Sequence, residues 1–432
     1  MRRWHLVAAL TVPLLAESPK ELRLVTVDPA HFHAAQMHTG PLAGFSRESW
    51  IYAPITNDLA SHVRSIAALR GRSPAPDHWR HRVYAGDDFF ARMLADKRGD
   101  VVVLSGRNKQ KIDYLAQSVS AGLHVLADKP WIIEAADFPR LQQALDEADR
   151  RGIIAYDCMT QRFDIAYQLQ RELVNDPAVF GDRAKGTPDQ PAVRMVSSHY
   201  LLKRFNGVPN LRPAWYFDIA QQGEALADVG THVVDLTHWT LFPEQALDYK
   251  TDLQIVAAKR WPTNLTKEQY RTVTGEPDFP PYLRSALRNG ELHYFTNNYL
   301  LYTVRGTHVS LQVTWELESP SGDRDTMLAV YRGGNSEITV SQGKEEKYLP
   351  EVYVKPLADK GAVRQHLERR LRELAQRWPG LTVAEDGDRL KIVIPSDLRI
   401  PDVEYFLLLA DRFAGYIRQP GTLPSWEKPN ML

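Results

Sequence analysis

The chain has very little cysteine and no excess of charge of either sign. Its 432 residues include one cysteine, Cys158, so no internal disulfide and no cysteine-rich metal site can form. The 53 lysine and arginine residues balance 53 aspartate and glutamate residues. Without a basic surplus, electrostatic attraction to nucleic acid or to an anionic membrane is weak, and no nucleic-acid partner is expected. The length exceeds what one hydrophobic core usually holds and favours two domains.

The N-terminus has an apolar run, but the run is too short to span a bilayer, and no membrane span is expected. Arg2 and Arg3 precede the apolar stretch from Trp4 to Leu15, and small residues follow around Ala16. This order is typical of a secretory signal peptide with its cleavage region. We therefore expect residues 1–19 to be a signal peptide and the protein to be exported to the periplasm. The alternative is an irregular N-terminal extension on a cytoplasmic protein.

Two different strand patterns divide the rest of the chain. In residues 20–157, short apolar strands alternate with helices, which predicts an α/β domain with a doubly wound parallel sheet of the Rossmann type. From about residue 190 the strands are longer and alternate apolar with polar residues, without intervening helices. That pattern predicts a second, α+β domain with an open, mainly antiparallel sheet, and we assign residues 158–432 to it.

A buried strand that ends in charged residues is the main signal in the first domain. The apolar run Leu123–Ala127 is followed by Asp128, Lys129 and a proline that cannot continue the strand. Ligands of open α/β sheets bind at the carboxyl ends of the strands, so both side chains are expected at a binding site. Lys129 could then serve as a proton donor, a base or an electrostatic clamp. The alternative is a strand end with two solvated charges.

A second group of candidates lies in the stretch Glu224–Trp239, which we predict to be a helix. Asp228, His232 and Asp235 have i, i+4, i+7 spacing, which places them on one helical face. Asp228 could fix the tautomer of the His232 imidazole and raise its basicity for proton transfer. The triplet could also bind a metal ion. The alternative is a solvated polar stripe.

Glycine is missing from the first turn, at Asp28–Ala34, where dinucleotide-binding domains carry their glycine fingerprint. His31 and His33 in that turn are candidates for contacting phosphate or substrate. A metal site between them is disfavoured, because side chains at i and i+2 diverge on a helix. Further along, Arg212 and Trp215 combine a guanidinium with an aromatic face, as a sugar-binding cleft requires. Their alternative role is in the aromatic core.

Together these motifs resemble the glucose–fructose oxidoreductase / inositol dehydrogenase family (Gfo/Idh/MocA). Asp128-Lys129-Pro130 is similar to the family's Glu-Lys-Pro, and Asp228, His232 and Asp235 match its Asp-x-x-x-His-x-x-Asp helix. The loop Ser105–Asn108 and the segment Gln161–Phe163 resemble segments beside the family's nucleotide. The match spans most of residues 20–330, and DPAHFHA, YDCMTQRF and RPAWYFDIAQQGE look like a subgroup with its own C-terminal domain.

The resemblance implies an enzyme that transfers hydride from a hydroxyl of a sugar, glycoside or related polyol to a tightly bound NAD or NADP. The missing glycines, and the lack of a clear acid after the second strand, leave the choice of nucleotide open. Two alternatives are a glycoside hydrolase or lyase that uses transient oxidation, and a nucleotide-bound sugar sensor.

The motifs and the resemblance together give roles for single residues, and we expect no bound metal and a homo-oligomer. Catalysis is assigned to Lys129, His232 and Asp228, and substrate binding to Arg212, Trp215 and Asp235. Cofactor contacts are expected at His31, Phe32, His33, Ser105, Gly106, Asn108, Asp128, Lys129 and Arg162.

Overall fold

The computed structural model describes residues 21–70, 78–205 and 208–432. The expected signal peptide lies outside the described residues. In the described parts of the chain, no helix combines the length and the apolar character needed to cross a membrane.

The first half of the chain forms a six-stranded parallel sheet. Its spatial order is β3-β2-β1-β4-β5-β6, the order of a doubly wound dinucleotide-binding sheet. The strand order reverses between the neighbours β1 and β4, which opens a crevice at their carboxyl ends. The strands are β1 (Leu22–Val27), β2 (Phe45–Ala53), β3 (Arg80–Ala85), β4 (Val101–Leu104), β5 (His124–Ala127) and β6 (Ala155–Asp157).

Five helices connect and flank these strands. They are α1 (His33–Gln36), α2 (Asn57–Arg70), α3 (Phe89–Asp96), α4 (Asn108–Ser120) and α5 (Phe138–Arg151). α5 shows why they form, since its buried residues Leu141, Ala144, Leu145 and Ala148 recur at helical spacing. Gly152 ends it with φ of 66°, a left-handed conformation that glycine adopts without strain.

The second half forms a ten-stranded sheet, and the predicted fold class is confirmed. The path is β10-β12-β13-β7-β14-β15-β16-β18-β17, with β11 paired to β12 and with β7 and β13 as its parallel pair. A separate hairpin joins β8 to β9. The strands are β7 (Val193–Leu202), β8 (Arg204–Phe205), β9 (Val208–Pro209), β10 (Leu253–Leu265), β11 (Leu287–Arg288), β12 (Glu291–Val304), β13 (Thr307–Glu318), β14 (Thr326–Arg332), β15 (Ser336–Gln342), β16 (Glu351–Pro356), β17 (Thr382–Asp386) and β18 (Arg389–Val393).

Seven helices lie in the described part of the chain after β6, and α6 and α8 pack on the ten-stranded sheet. They are α6 (Ile165–Val174), α7 (Ile219–Gln222), α8 (Gly230–Leu241), α9 (Lys267–Thr274), α10 (Lys360–Leu374), α11 (Asp402–Arg418) and α12 (Glu427–Met431). The predicted helix Glu224–Trp239 starts later than expected, at Gly230. Residues 225–229 form turns instead, and the Leu226 N–H donates to Asn298 Oδ1 at 2.8 Å. Asp228 therefore precedes α8.

Helix α11 packs on the first sheet, although we assigned its residues to the second domain. Phe406, Leu409, Ala410, Phe413 and Ala414 share a core with apolar side chains of β1, β4 and β5. The parallel sheet thus has one of its faces covered by residues from the far end of the chain.

Candidate active site

Two loops at the switch point of the parallel sheet are locked together by their backbones. The N–H groups of Ala30 and His31 both donate to Ser105 O, at 3.2 and 3.1 Å. A Cβ at Gly106 would lie 2.1 Å from Asp28 O, so only glycine allows this approach. In a fingerprint turn such N–H groups would face a pyrophosphate. In this protein the N–H groups of Ala30 and His31 instead bind the loop after β4 to the loop after β1.

The carboxylate of Asp128, at the end of β5, gathers side chains from both loops. Its Oδ2 accepts hydrogen bonds from His33 Nδ1 at 3.0 Å and Ser105 Oγ at 3.2 Å. The Lys129 N–H donates to Oδ1 at 2.9 Å. His31 Nδ1 lies 2.8 Å from Oδ2 but is not aligned for a hydrogen bond.

The charge state of this group follows from burial and from the neighbouring rings. Burial opposes ionisation of Asp128, but the imidazoles of His33 and His31 outweigh it and hold the pKa of the carboxyl well below its usual range. Burial lowers the pKa of His33 to about 4, against the opposing charge of Asp128. Phe32, the third predicted contact of this turn, is 57 % exposed beside the two histidines.

A second lysine, Lys111 on α4, binds the backbone at the end of β5. Its Nζ donates to Asn108 Oδ1 at 2.7 Å and to Asp128 O at 2.8 Å, and burial lowers its pKa to about 8. Asn108 in turn donates from Nδ2 to Gln222 O at 2.7 Å. The predicted cofactor residue Asn108 is thus engaged in positioning β5 and α7. Sequence reasoning missed Lys111, which looks like an ordinary solvated helix lysine.

An ion pair between Lys129 and Asp228 connects the domain of the parallel sheet to the domain of the ten-stranded sheet. Lys129 Nζ donates to Asp228 Oδ1, and Tyr216 OH donates to Asp228 Oδ2 at 3.1 Å. All three residues are buried. Burial disfavours the charge on Asp228, yet the Lys129 ammonium more than offsets it, so the pKa of this carboxyl is lowered. The structure brings the predicted catalytic residues Lys129 and Asp228 into direct contact.

His232 differs from its prediction in its partner and in its basicity. It lies in α8, is 8 % exposed, and its Nδ1 has no hydrogen-bond partner among the described residues. Asp228 does not hold its ring, because that carboxylate is taken by Lys129 and Tyr216. Burial and the Lys129 charge lower the pKa of His232 well below its usual value, so the predicted rise in basicity is wrong. The alternative of a solvated stripe is also wrong, because Asp228 and His232 are buried.

Arg162 and Asp235, predicted to contact cofactor and substrate, bind each other instead. Arg162 donates from Nε to Asp235 Oδ2 at 2.8 Å and from Nη1 to Glu427 Oε2 at 3.0 Å. Its Nη2 also donates to Asp235 Oδ1. Glu427 comes from α12, near the end of the chain, and the sequence offers no signal for its role. Four donated hydrogen bonds leave Arg162 little capacity for a ligand.

The predicted sugar-binding residues have structural partners as well. Arg212 donates to the carbonyls of Leu201 and Tyr200, both at 2.9 Å, and its guanidinium contacts the rings of Tyr216 and Trp315. Trp215 Nε1 donates to Asp58 at 3.1 Å, in the first domain. The aromatic residue that reaches the ion pair is their neighbour Tyr216, which sequence reasoning did not single out.

The fold, in which a Rossmann-type domain and an open-sheet domain meet at a lysine–aspartate pair, is that of Gfo/Idh/MocA-type dehydrogenases. Residues 169–432 match the family described as "Putative oxidoreductase C terminal domain". The chain belongs to this family.

Known proteins agree with this assignment. A crystal structure of a putative oxidoreductase from Parabacteroides merdae is 35% identical, has a TM-score of 0.92, and is aligned over 96% of this chain and 95% of that one. The putative oxidoreductase YteT of Bacillus subtilis is 20% identical over 197 residues. The aligned part covers 45% of this chain and 42% of that relative's length. Levoglucosan dehydrogenase in complex with NADH has a TM-score of 0.59 at 15% identity over 95% of this chain and 94% of that one, a likeness that shows the shared fold.

Proposed function

We propose that the protein oxidises a hydroxyl of a sugar, glycoside or related polyol by hydride transfer to a bound NAD or NADP. The observation that carries the proposal is the buried ion pair of Lys129 and Asp228 at the carboxyl end of β5. It lies where open α/β sheets bind ligands, and where the second domain closes over the first. Levoglucosan dehydrogenase, which has the same fold, was solved with NADH and with levoglucosan, and this supports the choice of cofactor and substrate class.

The side chains present fit the nicotinamide end of such a nucleotide. The unpartnered, buried Nδ1 of His232 and the buried Lys129 ammonium provide one acceptor and one cation in the same site. The phosphate end differs from the usual arrangement, because the N–H groups of Ala30 and His31 are occupied. Side chains rather than the first-turn backbone would therefore face the phosphates. The bound nucleotide would supply the hydride acceptor.

The residues of this chain would act on the substrate hydroxyl and on its proton. His232, neutral and with a free Nδ1, would accept the hydroxyl proton as the carbon loses hydride. The Lys129 ammonium would stabilise the negative charge that develops on the oxygen. Asp228 and Tyr216 would hold Lys129 in place, which is a positioning role. Burial of all four side chains would keep water from competing for the developing charge.

Analysis of the purified full chain for nucleotide tests the proposal. We expect mass spectrometry to find NAD or NADP bound, or calorimetry to show that one of them binds. Mixing with a panel of glycosides and polyols should then produce the absorbance of reduced nicotinamide. Release of the aglycone without net reduction would instead favour a hydrolase or lyase with transient oxidation. Binding of sugar without either change would favour a sensor. A chain that binds neither nucleotide would contradict the proposal.

A further inference from the structure

Three potential metal ligands converge at the crevice of the parallel sheet. The Nδ1 atoms of His31 and His33 lie 2.8 and 3.0 Å from Asp128 Oδ2. All three donor atoms fall within 4.8 Å of one another. They come from two segments 95 residues apart in sequence, because the pair His33–Asp128 joins the turn after β1 to the end of β5. The fold therefore assembles the group.

The conformation of the first turn explains why the two histidines do not diverge. α1 begins only at His33, so His31 lies in the turn before the helix, and helical spacing does not apply to the pair. Their ring centroids lie 4.1 Å apart, while Phe32 between them is exposed. The turn thus directs two imidazoles to one carboxylate and sends the intervening side chain outward.

Hydrogen bonds around the group resemble the outer support of a metal site. The Asp128 carboxylate accepts hydrogen bonds from the Ser105 hydroxyl and from the Lys129 N–H. Carboxylates that bind metal ions are generally held by such hydrogen bonds. His31 Nδ1 is buried and makes no aligned hydrogen bond, although it lies beside the carboxylate. Such a close approach without an aligned hydrogen bond lets both atoms face one shared ion.

We propose that His31, His33 and Asp128 bind one divalent transition-metal ion, of which zinc is the best match. Two imidazole nitrogens and one carboxylate oxygen suit zinc, and three protein ligands leave a position open for water or substrate. Magnesium and calcium prefer oxygen ligands throughout. Tetrahedral zinc bonds of about 2.0–2.1 Å require ligand atoms about 3.4 Å apart, so each Nδ1 would need to move away from Asp128 Oδ2 by only a few tenths of an ångström. The inference does not rest on the proposed function.

Titration of the full-length protein with zinc, after treatment with a chelator, tests this site. We expect calorimetry to show one ion bound per chain. His31→Ala, His33→Ala and Asp128→Asn should each weaken binding by at least about 10–100-fold, the loss known for changes in outer-shell partners alone. His366→Ala, in α10, is the matched control and should bind like the wild type. Binding that is absent, or equal in all variants, overturns the proposal.

Further measurements keep the metal site testable if a variant fails to fold. Circular dichroism should first show that each variant keeps the wild-type spectrum. Cobalt(II) in the wild type should give the visible absorption of a four- or five-coordinate ion. Crystals soaked in zinc should show an anomalous peak between the two Nδ1 atoms and Asp128 Oδ2, and a peak elsewhere contradicts the assignment. A protein that reduces nucleotide but binds no ion would overturn this inference and leave the proposed function standing.

Discussion

The Lys129–Asp228 pair is the residue-scale feature on which catalysis depends in our account. Lys129→Met should lower kcat by about 10²–10⁴-fold, because the charge that stabilises the developing oxyanion is lost. Asp228 keeps its hydrogen bond from Tyr216 in this variant, so we expect the fold and nucleotide binding to persist. Steady-state kinetics and nucleotide content measure the two effects. Lys109→Met, at an exposed lysine of α4, should leave kcat unchanged. Loss of fold in Lys129→Met would indicate a structural lysine.

The same pair should make a measurable contribution to stability. Asp228→Asn leaves the Lys129 ammonium buried without a counter-charge, and we expect unfolding free energy to fall by about 3–5 kcal/mol. The exposed pair Lys360–Glu385 is the matched control, and Glu385→Gln should leave the unfolding free energy almost unchanged. Urea unfolding followed by circular dichroism measures both. Equal and small losses of unfolding free energy in the two variants would show that the buried pair contributes no more to stability than the exposed pair.

Only part of the residue-scale arrangement could be predicted from sequence. The strand end at Asp128 and Lys129 followed from an apolar run and a proline, and Asp228 followed from a motif. The partner of Asp228 did not, because helical spacing suggested His232, whereas the helix begins two residues after Asp228. Long-range contacts of Arg162 with Glu427 depend on how the C-terminus folds back, and local spacing carries no information about that.

At the scale of elements, sequence patterns predicted strands with continuous apolar runs and missed those without them. β3 is an edge strand with mostly exposed residues, so it has no apolar run to reveal it. Asn297 and Asn298 interrupt the apolar pattern of β12, so the local pattern indicates two strands where the structure has one. Both asparagines are buried, and their Oδ1 atoms accept the N–H groups of Trp315 and Leu226 at 2.8 Å. Such distant partners are not visible in local sequence.

The junction between β6 and α12 should make stability depend on pH. Asp157 at the end of β6 is buried, and burial, aided by the carboxylates of Asp235 and Glu427, raises its pKa to about 8 against the opposing charge of Arg162. The folded protein thus holds a proton that the unfolded chain releases near pH 4. This contribution is fully present below about pH 4 and is lost as pH rises toward 8.

Asp157→Asn should remove this dependence, because the amide does not titrate. We expect its stability relative to the wild type to rise with pH between about 4 and 8, by up to about 1.4 kcal/mol per pH unit. Urea unfolding at several pH values in this window measures the difference. The exposed Asp189→Asn is the control and should follow the wild type. Parallel curves for Asp157→Asn and the wild type would show that Asp157 ionises in the folded state.

At the scale of the whole molecule, the C-terminus completes the first domain. A chain that ends before residue 402 loses α11 and exposes the apolar face formed by Leu24, Val101, Val103 and Leu126. We expect this truncated protein to aggregate or to unfold, since several buried side chains contribute roughly 1.5–3 kcal/mol each. A chain that ends at residue 418 keeps α11 and should remain folded but less stable, because Glu427 is lost. Size-exclusion chromatography and thermal unfolding distinguish them. A stable, monodisperse protein without residues 402–432 would contradict this packing.

Transfer of deuterium from substrate to nucleotide tests the central claim most directly. The nucleotide-loaded protein is mixed with glycosides or polyols deuterated at every ring carbon, and the nucleotide is then examined by mass spectrometry. Our account predicts one deuterium on the nicotinamide in the wild type, with about 10²–10⁴-fold slower transfer in Lys129→Met. The prediction holds whether oxidation is net or transient, provided the reduced nucleotide is trapped before it returns its hydride. Conversion of substrate with no deuterium in the trapped nucleotide would contradict hydride transfer at this site.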